Sequence, residues 1–283
     1  MTGRSSMDQA AYLFISPHLD DAVFSCGGFI RQLVLSGSRV IVATVVTADA
    51  PDELPLGWLA KRNLRSWGNQ RHIFALRCAE DLAAVRHLGA ETLHLGFLDC
   101  IYRRDAQQLP LYTRRVINVP LHPYDLQFFQ PALETRLREL LVQAIKVVCP
   151  LTIGNHVDHL LVRQAVEAVT TARQRIYYEE FPYILRTGKH HTKWVNLSQQ
   201  MIRLQPAEIE ARLLASTSYR SQIPGLFPAP LDVWCEIMRA YLPVLDRYVP
   251  AEHPLWHSIK RMQTITRRHI DRVGGERYWT QPL

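Results

Sequence analysis

The sequence predicts an α/β fold: a Rossmann-like, mostly parallel sheet flanked by helices, with a C-terminal helical extension. Three observations predict it. Short apolar runs alternate with amphipathic stretches from Tyr12 to Glu179, the rhythm of strand–helix–strand units. One run, Arg39 to Thr47, is apolar almost without a break, as a strand covered on both faces requires. Two of the runs end in polar clusters of histidine and aspartate, at the edge where open parallel sheets bind ligands.

The elements follow in order. Residues Met1 to Gln9 are polar and read as a lead without structure. Tyr12 to Ser16 is the first strand. Ala22 to Ser36 is a helix, with Val23, Ile30, Leu33 and Val34 at helical spacing. Its Gly27-Gly28 pair would cost about 1 kcal/mol per glycine, so it points to close approach of the helix to the sheet or the site. Arg39 to Thr47 is the second strand. Ala48 to Gly68 carries Pro51, Pro55, Gly57, Trp58 and Trp67 and reads as a long loop with room for one short helix. Arg71 to Gly89 is an amphipathic helix, and Thr92 to Leu95 a third strand. Gly96 to Gln130, rich in arginine and aromatic residues, is a second long loop; loops of that length at this edge tend to carry function. Pro131 to Lys146 reads as helix, Val147 to Ile153 as strand, Val157 to Arg173 as helix and Arg175 to Glu179 as strand. Beyond these come a loop or hairpin over Phe181 to Asn196, helices over Pro206 to Ser218 and Leu231 to Tyr241, and a Pro-, His- and Arg-rich tail from Arg247. No linker or repeat divides the chain, so one domain is expected, with a core over about 11–200 and an extension over about 201–283.

Composition narrows the function. The chain has 283 residues and a net charge of +7, without a Lys/Arg block long enough for a nucleic-acid arm. It carries five cysteines, scattered and without CxxC spacing, which argues for a reducing compartment over a disulfide scaffold. No signal-peptide core precedes the first strand and no stretch of about 20 apolar residues is present. The expectation is a cytoplasmic protein acting on a small molecule, with neither nucleic acid nor membrane as partner and with a homo-oligomer left open.

The chemistry lies at two strand ends. Pro17-His18-Leu19-Asp20-Asp21 follows the first strand, and His156-Val157-Asp158-His159 follows the fourth. Either cluster alone could be helix capping or a solvated loop. Together they offer imidazole and carboxylate ligands in the proportions of a catalytic zinc, which takes three protein ligands and a water. The count of histidines and carboxylates suits one zinc better than two metals.

This pair of motifs resembles the signature of the PIG-L/LmbE-like zinc-dependent N-deacetylases, whose first motif is PHPDDE; here Leu19 and Ala22 replace the second proline and the glutamate. Arg77-Cys78-Ala79-Glu80-Asp81-Leu82-Ala83-Ala84 is similar to the family's R-x-x-E-x-x-x-A helix, and Gly96-Phe97-Leu98-Asp99 to its downstream aspartate. The resemblance spans Tyr12 to Tyr178. It implies that His18, Asp21 and His159 bind one zinc per chain and that Asp20 is the general base. It implies that His156 stabilises the oxyanion or protonates the leaving amine, with Asp158 orienting and charging His156. It gives Arg77 and Asp99 to the substrate, an N-acetylated amino sugar such as N-acetylglucosamine or a conjugate of it. If Asp158 charges His156, an imidazolium at neutral pH is expected. Two other readings compete. A metal-dependent phosphoesterase would want more carboxylates. A non-hydrolytic Rossmann sugar-phosphate or nucleotide module would want a G-x-G-x-x-G turn after the first strand, which is absent.

Overall fold

The computed structural model describes residues 10–183, 197–223 and 275–281. Five strands pair in parallel: β1 (Ala11–Ser16), β2 (Arg39–Ala48), β3 (Glu91–Leu98), β4 (Ala144–Pro150) and β5 (Arg175–Tyr178). Two more, β6 (Ser198–Arg203) and β7 (Gly275–Thr280), extend the sheet antiparallel, giving the order β3-β2-β1-β4-β5-β7-β6. The chain winds outward from β1 to β3, then crosses back to place β4 on the other side of β1. That reversal is a switch point at the carboxyl ends of β1 and β4, the place where open sheets of this kind bind ligands.

Side chains alternate across each strand, and the two faces build two cores. Leu13, Ile15, Val147 and Cys149 face one side, with Leu133 and Leu137 of α4 (Gln130–Leu141) and Leu161 and Val162 of α5 (Val157–Val169). Phe14, Val42 and Val148 face the other, with Val23 and Ile30 of α1 (Asp21–Leu35) and Val85 and Leu88 of α3 (Ile73–Leu88). The first long loop holds α2 (Trp58–Ser66). A short π-helical turn, Asp125–Phe129, ends the second.

The expected elements differ in three places. The helix expected to reach Lys146 stops at Leu141, because Ala144 and Lys146 already pair with Ala11 and Tyr12. Residues 151–153, expected in the fourth strand, leave the sheet: Leu151 donates to the Tyr178 carbonyl and Thr152 takes φ 71°. The extension holds the expected helix as α6 (Pro206–Ser216) but also contributes β6 and β7. The readings from 184 to 196, the helix expected over Leu231 to Tyr241 and Cys235 lie outside the described residues. Cys26, Cys78, Cys100 and Cys149 are free thiols.

The glycine pair has a specific use. The Glu276 carboxylate of β7 accepts the N–H groups of Gly28 (2.8 Å) and Phe29 (2.9 Å) in the middle of α1. Arg212 of α6 pairs with Glu276 at 3.3 Å and donates to the Phe24 carbonyl. A Cβ on Gly28 would stand 2.2 Å from Leu204 Cδ1 and 2.8 Å from Glu276 Oε1. Gly28→Ala is therefore expected to destabilise the protein by about 1–3 kcal/mol, the usual cost of overpacking, despite alanine's better helix propensity. Thermal unfolding measures it; an unchanged or raised midpoint would mean that β7 moves aside freely.

Candidate active site

The turn after β1 is pinned before any ligand is considered. Ser16 Oγ donates to the His18 carbonyl at 2.6 Å and accepts the Ala22 N–H at 3.0 Å. The turn after β4 runs through Gly154 and Asn155, with φ of 92° and 53°, and delivers His156, Asp158 and His159 to the start of α5. Because β1 and β4 are neighbours, residues more than 130 positions apart converge.

Asp21 Oδ2 is the centre of the cluster. It lies 3.1 Å from His18 Nδ1 and 3.2 Å from His159 Nε2, and it accepts the His18 N–H at 2.9 Å. Burial alone would raise the Asp21 carboxyl, but the two imidazoles outweigh it and hold the group far below the ordinary carboxylate range. His159 Nε2 is buried and too poorly aligned with Asp21 for a hydrogen bond, so among the described residues it has no hydrogen-bond partner. A buried ring nitrogen without a partner, beside a carboxylate and a second imidazole, fits the role of a metal ligand. His18, Asp21 and His159 could thus hold a divalent metal. His18, His156 and His159 also bring ligand nitrogens within 4.8 Å of one another, so His156 competes with Asp21 for the third position.

The imidazoles of His18 and His159 are each backed by a buried carboxylate. His18 Nε2 meets Asp158 Oδ2 at 3.0 Å, and His159 Nδ1 meets Glu180 Oε1 at 3.1 Å. The second oxygen of Glu180 accepts the Ile153 N–H at 3.0 Å. Such carboxylates fix the ring orientation and the tautomer of a ligating histidine. Glu180 was missed in the sequence. Its only signal is a Glu179-Glu180 pair directly after β5, at the same edge of the sheet. Glu180→Gln is expected to keep the fold and weaken metal binding by about 10–100-fold. Competition with a chromophoric chelator measures this, and wild-type affinity would remove Glu180 from the site.

Asp158 departs from expectation. Its carboxylate is turned to His18 and to Arg103 Nη2 (2.7 Å), while His156 Nδ1 lies 3.9 Å away. His156 Nδ1 instead accepts the backbone N–H of Asp158 at 3.2 Å, capping α5. Burial and the neighbouring His18 charge outweigh Asp158 and push the His156 pKa down to about 3. This runs against the expected imidazolium and favours a neutral ring. With Nδ1 accepting, its proton sits on Nε2.

Asp20 is buried beside Asp21, and burial with that adjacent charge raises its pKa to about 7, against the pull of Arg77 and His18. Arg77 of α3 is buried under Trp67 and Phe74, its guanidinium carbon 5.3 and 4.9 Å from their ring centroids. Its Nε and the Tyr102 hydroxyl are buried without hydrogen-bond partners among the described residues. Asp99, at the end of β3, lies with His18 and Asp158 so that their ligand atoms are within 4.8 Å of one another. The structure thus brings six of the eight expected site residues to one cluster by side-chain contact or close approach, while Asp20 and Arg77 are tied to it through their fields. His94 is ion-paired to Asp81 at 2.8 Å.

The profile of the PIG-L family, described as GlcNAc-PI de-N-acetylase, matches residues 13–170, more than half of the 283-residue chain. The chain belongs to the PIG-L family. Both motifs and the Arg77 helix lie inside the matched stretch. Among PIG-L relatives, the chain is 29% identical over 238 residues to 2'-N-acetylparomamine deacetylase of Niallia circulans, covering 78% of this chain and 84% of that one. It is 30% identical over 187 residues to 2'-N-acetylparomamine deacetylase of Streptomyces fradiae, covering 64% and 61%. A zinc-inhibited form of the teicoplanin deacetylase Orf2 superposes with a TM-score of 0.74 at 25% identity, covering 95% and 97%. No helix among the described residues is long and apolar enough to cross a membrane.

Proposed function

We propose that this PIG-L protein is a zinc-dependent N-deacetylase that hydrolyses the acetamide of an amino sugar or of an amino-sugar conjugate, in a reducing, cytoplasmic setting. The observation that carries the reading is the convergence, at the carboxyl ends of β1 and β4, of a metal-fit triad, a buried carboxylate and a neutral imidazole donor. His18, Asp21 and His159 would hold one zinc. When bound, zinc supplies a Lewis acid for the amide carbonyl and makes the attacking water more acidic. Asp20, with its pKa near 7, takes the proton from that water. His156 donates its Nε2–H to the oxygen that becomes negative as the tetrahedral carbon forms. The amine then leaves with the proton that Asp20 acquired, which returns the carboxylate to its starting state. Arg77 and Asp99 hold substrate hydroxyls or an anionic group. The deacetylase relatives support the acetamide; the N-acetylated amino sugar is supported by the acetylparomamine enzymes among them.

The test is a panel of N-acetyl amino sugars, N-acetylated aminoglycosides and glycopeptides, assayed for primary-amine release by zinc-loaded protein. Release from at least one sugar acetamide is expected. Metal-loaded protein that releases no amine from any of them, but hydrolyses phosphate esters with two metals bound, would replace the reading with phosphoesterase.

A further inference from the structure

Arg103 lies in the long loop after β3, outside both motifs, yet it is buried against the site. Its guanidinium lies against two carboxylates, a carbonyl and an aromatic ring. Nε is 2.8 Å from Asp125 Oδ1, Nη2 donates to Asp125 Oδ2 at 3.0 Å, and Nη1 donates to the Leu98 carbonyl at 3.2 Å. The carbon of the guanidinium sits 4.2 Å over the Phe129 ring. Asp125 is itself fixed by the Tyr112 hydroxyl at 2.7 Å, and that hydroxyl accepts the His122 N–H at 3.0 Å. The remaining reach of Arg103 goes to Asp158 Oδ1 at 2.7 Å. Asp158 is wholly buried; a carboxylate so placed would be expensive to keep ionised without a cation against it.

We propose that Arg103 is a positioning residue for the metal centre: it holds Asp158 turned toward His18, so that the His18 ring is fixed with Nδ1 beside Asp21 Oδ2, where a metal would be held. The relay runs Tyr112 to Asp125 to Arg103 to Asp158 to His18, and only the last member would be a metal ligand. The two oxygens of Asp158 divide the work. Oδ1 faces Arg103, and Oδ2 faces His18 Nε2 and the Cys100 N–H. Without the guanidinium nothing holds Oδ1, the Asp158 side chain is free to turn, and the His18 ring loses the acceptor that fixes its tautomer. Arginine suits the task because its planar fork bridges two carboxylates at once, whereas lysine offers a point charge to one of them. This inference rests on the zinc assignment above.

The test measures metal binding without substrate. Full-length protein stripped of metal is titrated with zinc against a chromophoric chelator. Arg103→Met is expected to bind zinc about 10–100-fold more weakly than wild type, and Arg103→Lys to recover part of the loss. In the zinc-saturated state Arg103→Met should regain most of its kcat with KM unchanged, because its role precedes the chemistry. A double-mutant cycle separates positioning from general damage. Asp158→Asn should weaken zinc on its own, and Arg103→Met should add little to it, since both cut the same relay. If Arg103→Met misfolds, Asp125→Asn, which loosens the guanidinium without removing it, should give a smaller loss in the same direction. Wild-type zinc affinity in folded Arg103→Met, or fully additive losses in the cycle, overturns the proposal. A wild-type protein that binds no zinc overturns the metal assignment and this inference together. Zinc binding that depends on Arg103 in a protein releasing no amine from any acetamide would instead reject the deacetylase reading alone.

Discussion

Asp20→Asn is expected to retain zinc and lose deacetylation by about 10²–10⁴-fold, the usual contribution of a general base. The substitution is close to isosteric. The Asp20 side chain makes no capping hydrogen bond to α1, so the amide forfeits no such contact. What it forfeits is the ability to take a proton. The same change has an opposite effect on stability. The Asp20 pKa is raised from 3.8 to about 7 by burial and by Asp21, so between those values the folded state holds a proton that the unfolded state has released. Stability is then lost as pH climbs through that window. Asparagine escapes this cost. In metal-free protein at pH 8, Asp20→Asn should unfold at a higher temperature than wild type. Loss of turnover with gain of stability is the signature of a strained catalytic group. Metal-replete Asp20→Asn with wild-type turnover would remove Asp20 from the base position.

His159→Ala should release the metal and abolish turnover at ordinary zinc concentrations. It removes a ligand and leaves Glu180 with only its Ile153 N–H of the two partners described above. His156→Ala, measured alongside it, should keep metal near one per chain and lose about 10²–10³-fold in kcat, as when an oxyanion donor is deleted. His159 belongs to both candidate ligand sets, so His156→Ala and Asp21→Asn decide between them. Metal lost from His156→Ala and kept in Asp21→Asn would give the third position to His156.

Much of this site was legible because its parts are local. The two motifs each follow an apolar strand, and neighbouring strands place their ends side by side. The order of β1 and β4 then completes the cluster without further information. What escaped the sequence is non-local. Asp158 stands two residues from His156, and proximity in the chain suggested a partnership; α5 instead turns the two side chains apart, and the partner of Asp158 is a loop arginine 55 positions earlier. Glu180 reads as one of two surface acids until β5 is seen to lie beside β4. β7 hid in a tail dominated by polar and basic residues. Its inward positions, Glu276 and Tyr278, are joined by a 2.7 Å hydrogen bond and buried against α1, which no local periodicity reveals.

The loop over Gly96 to Gln130 was expected to carry function, and such loops are natural targets for exchange between related enzymes. Here the loop is also stitched to the catalytic turn. Val157 donates to the Val116 carbonyl at 2.9 Å and Asn118 to the Asn155 carbonyl at 3.1 Å, with Ile117 bridged to His156 between them. Recognition and reaction centre are therefore not separable cassettes. A graft that replaces the whole loop exchanges the scaffolding of His156 together with the recognition surface, and is expected to yield a folded protein of low turnover on donor and acceptor substrates alike. A graft that leaves residues 116–118 and Arg103 in place and changes only the exposed stretch around Gln107 to Leu109 should keep the turnover number while altering which sugars are accepted. Substrate range in this lineage would then drift through the outer rim of the loop, with its inner seam held still by the chemistry beneath it.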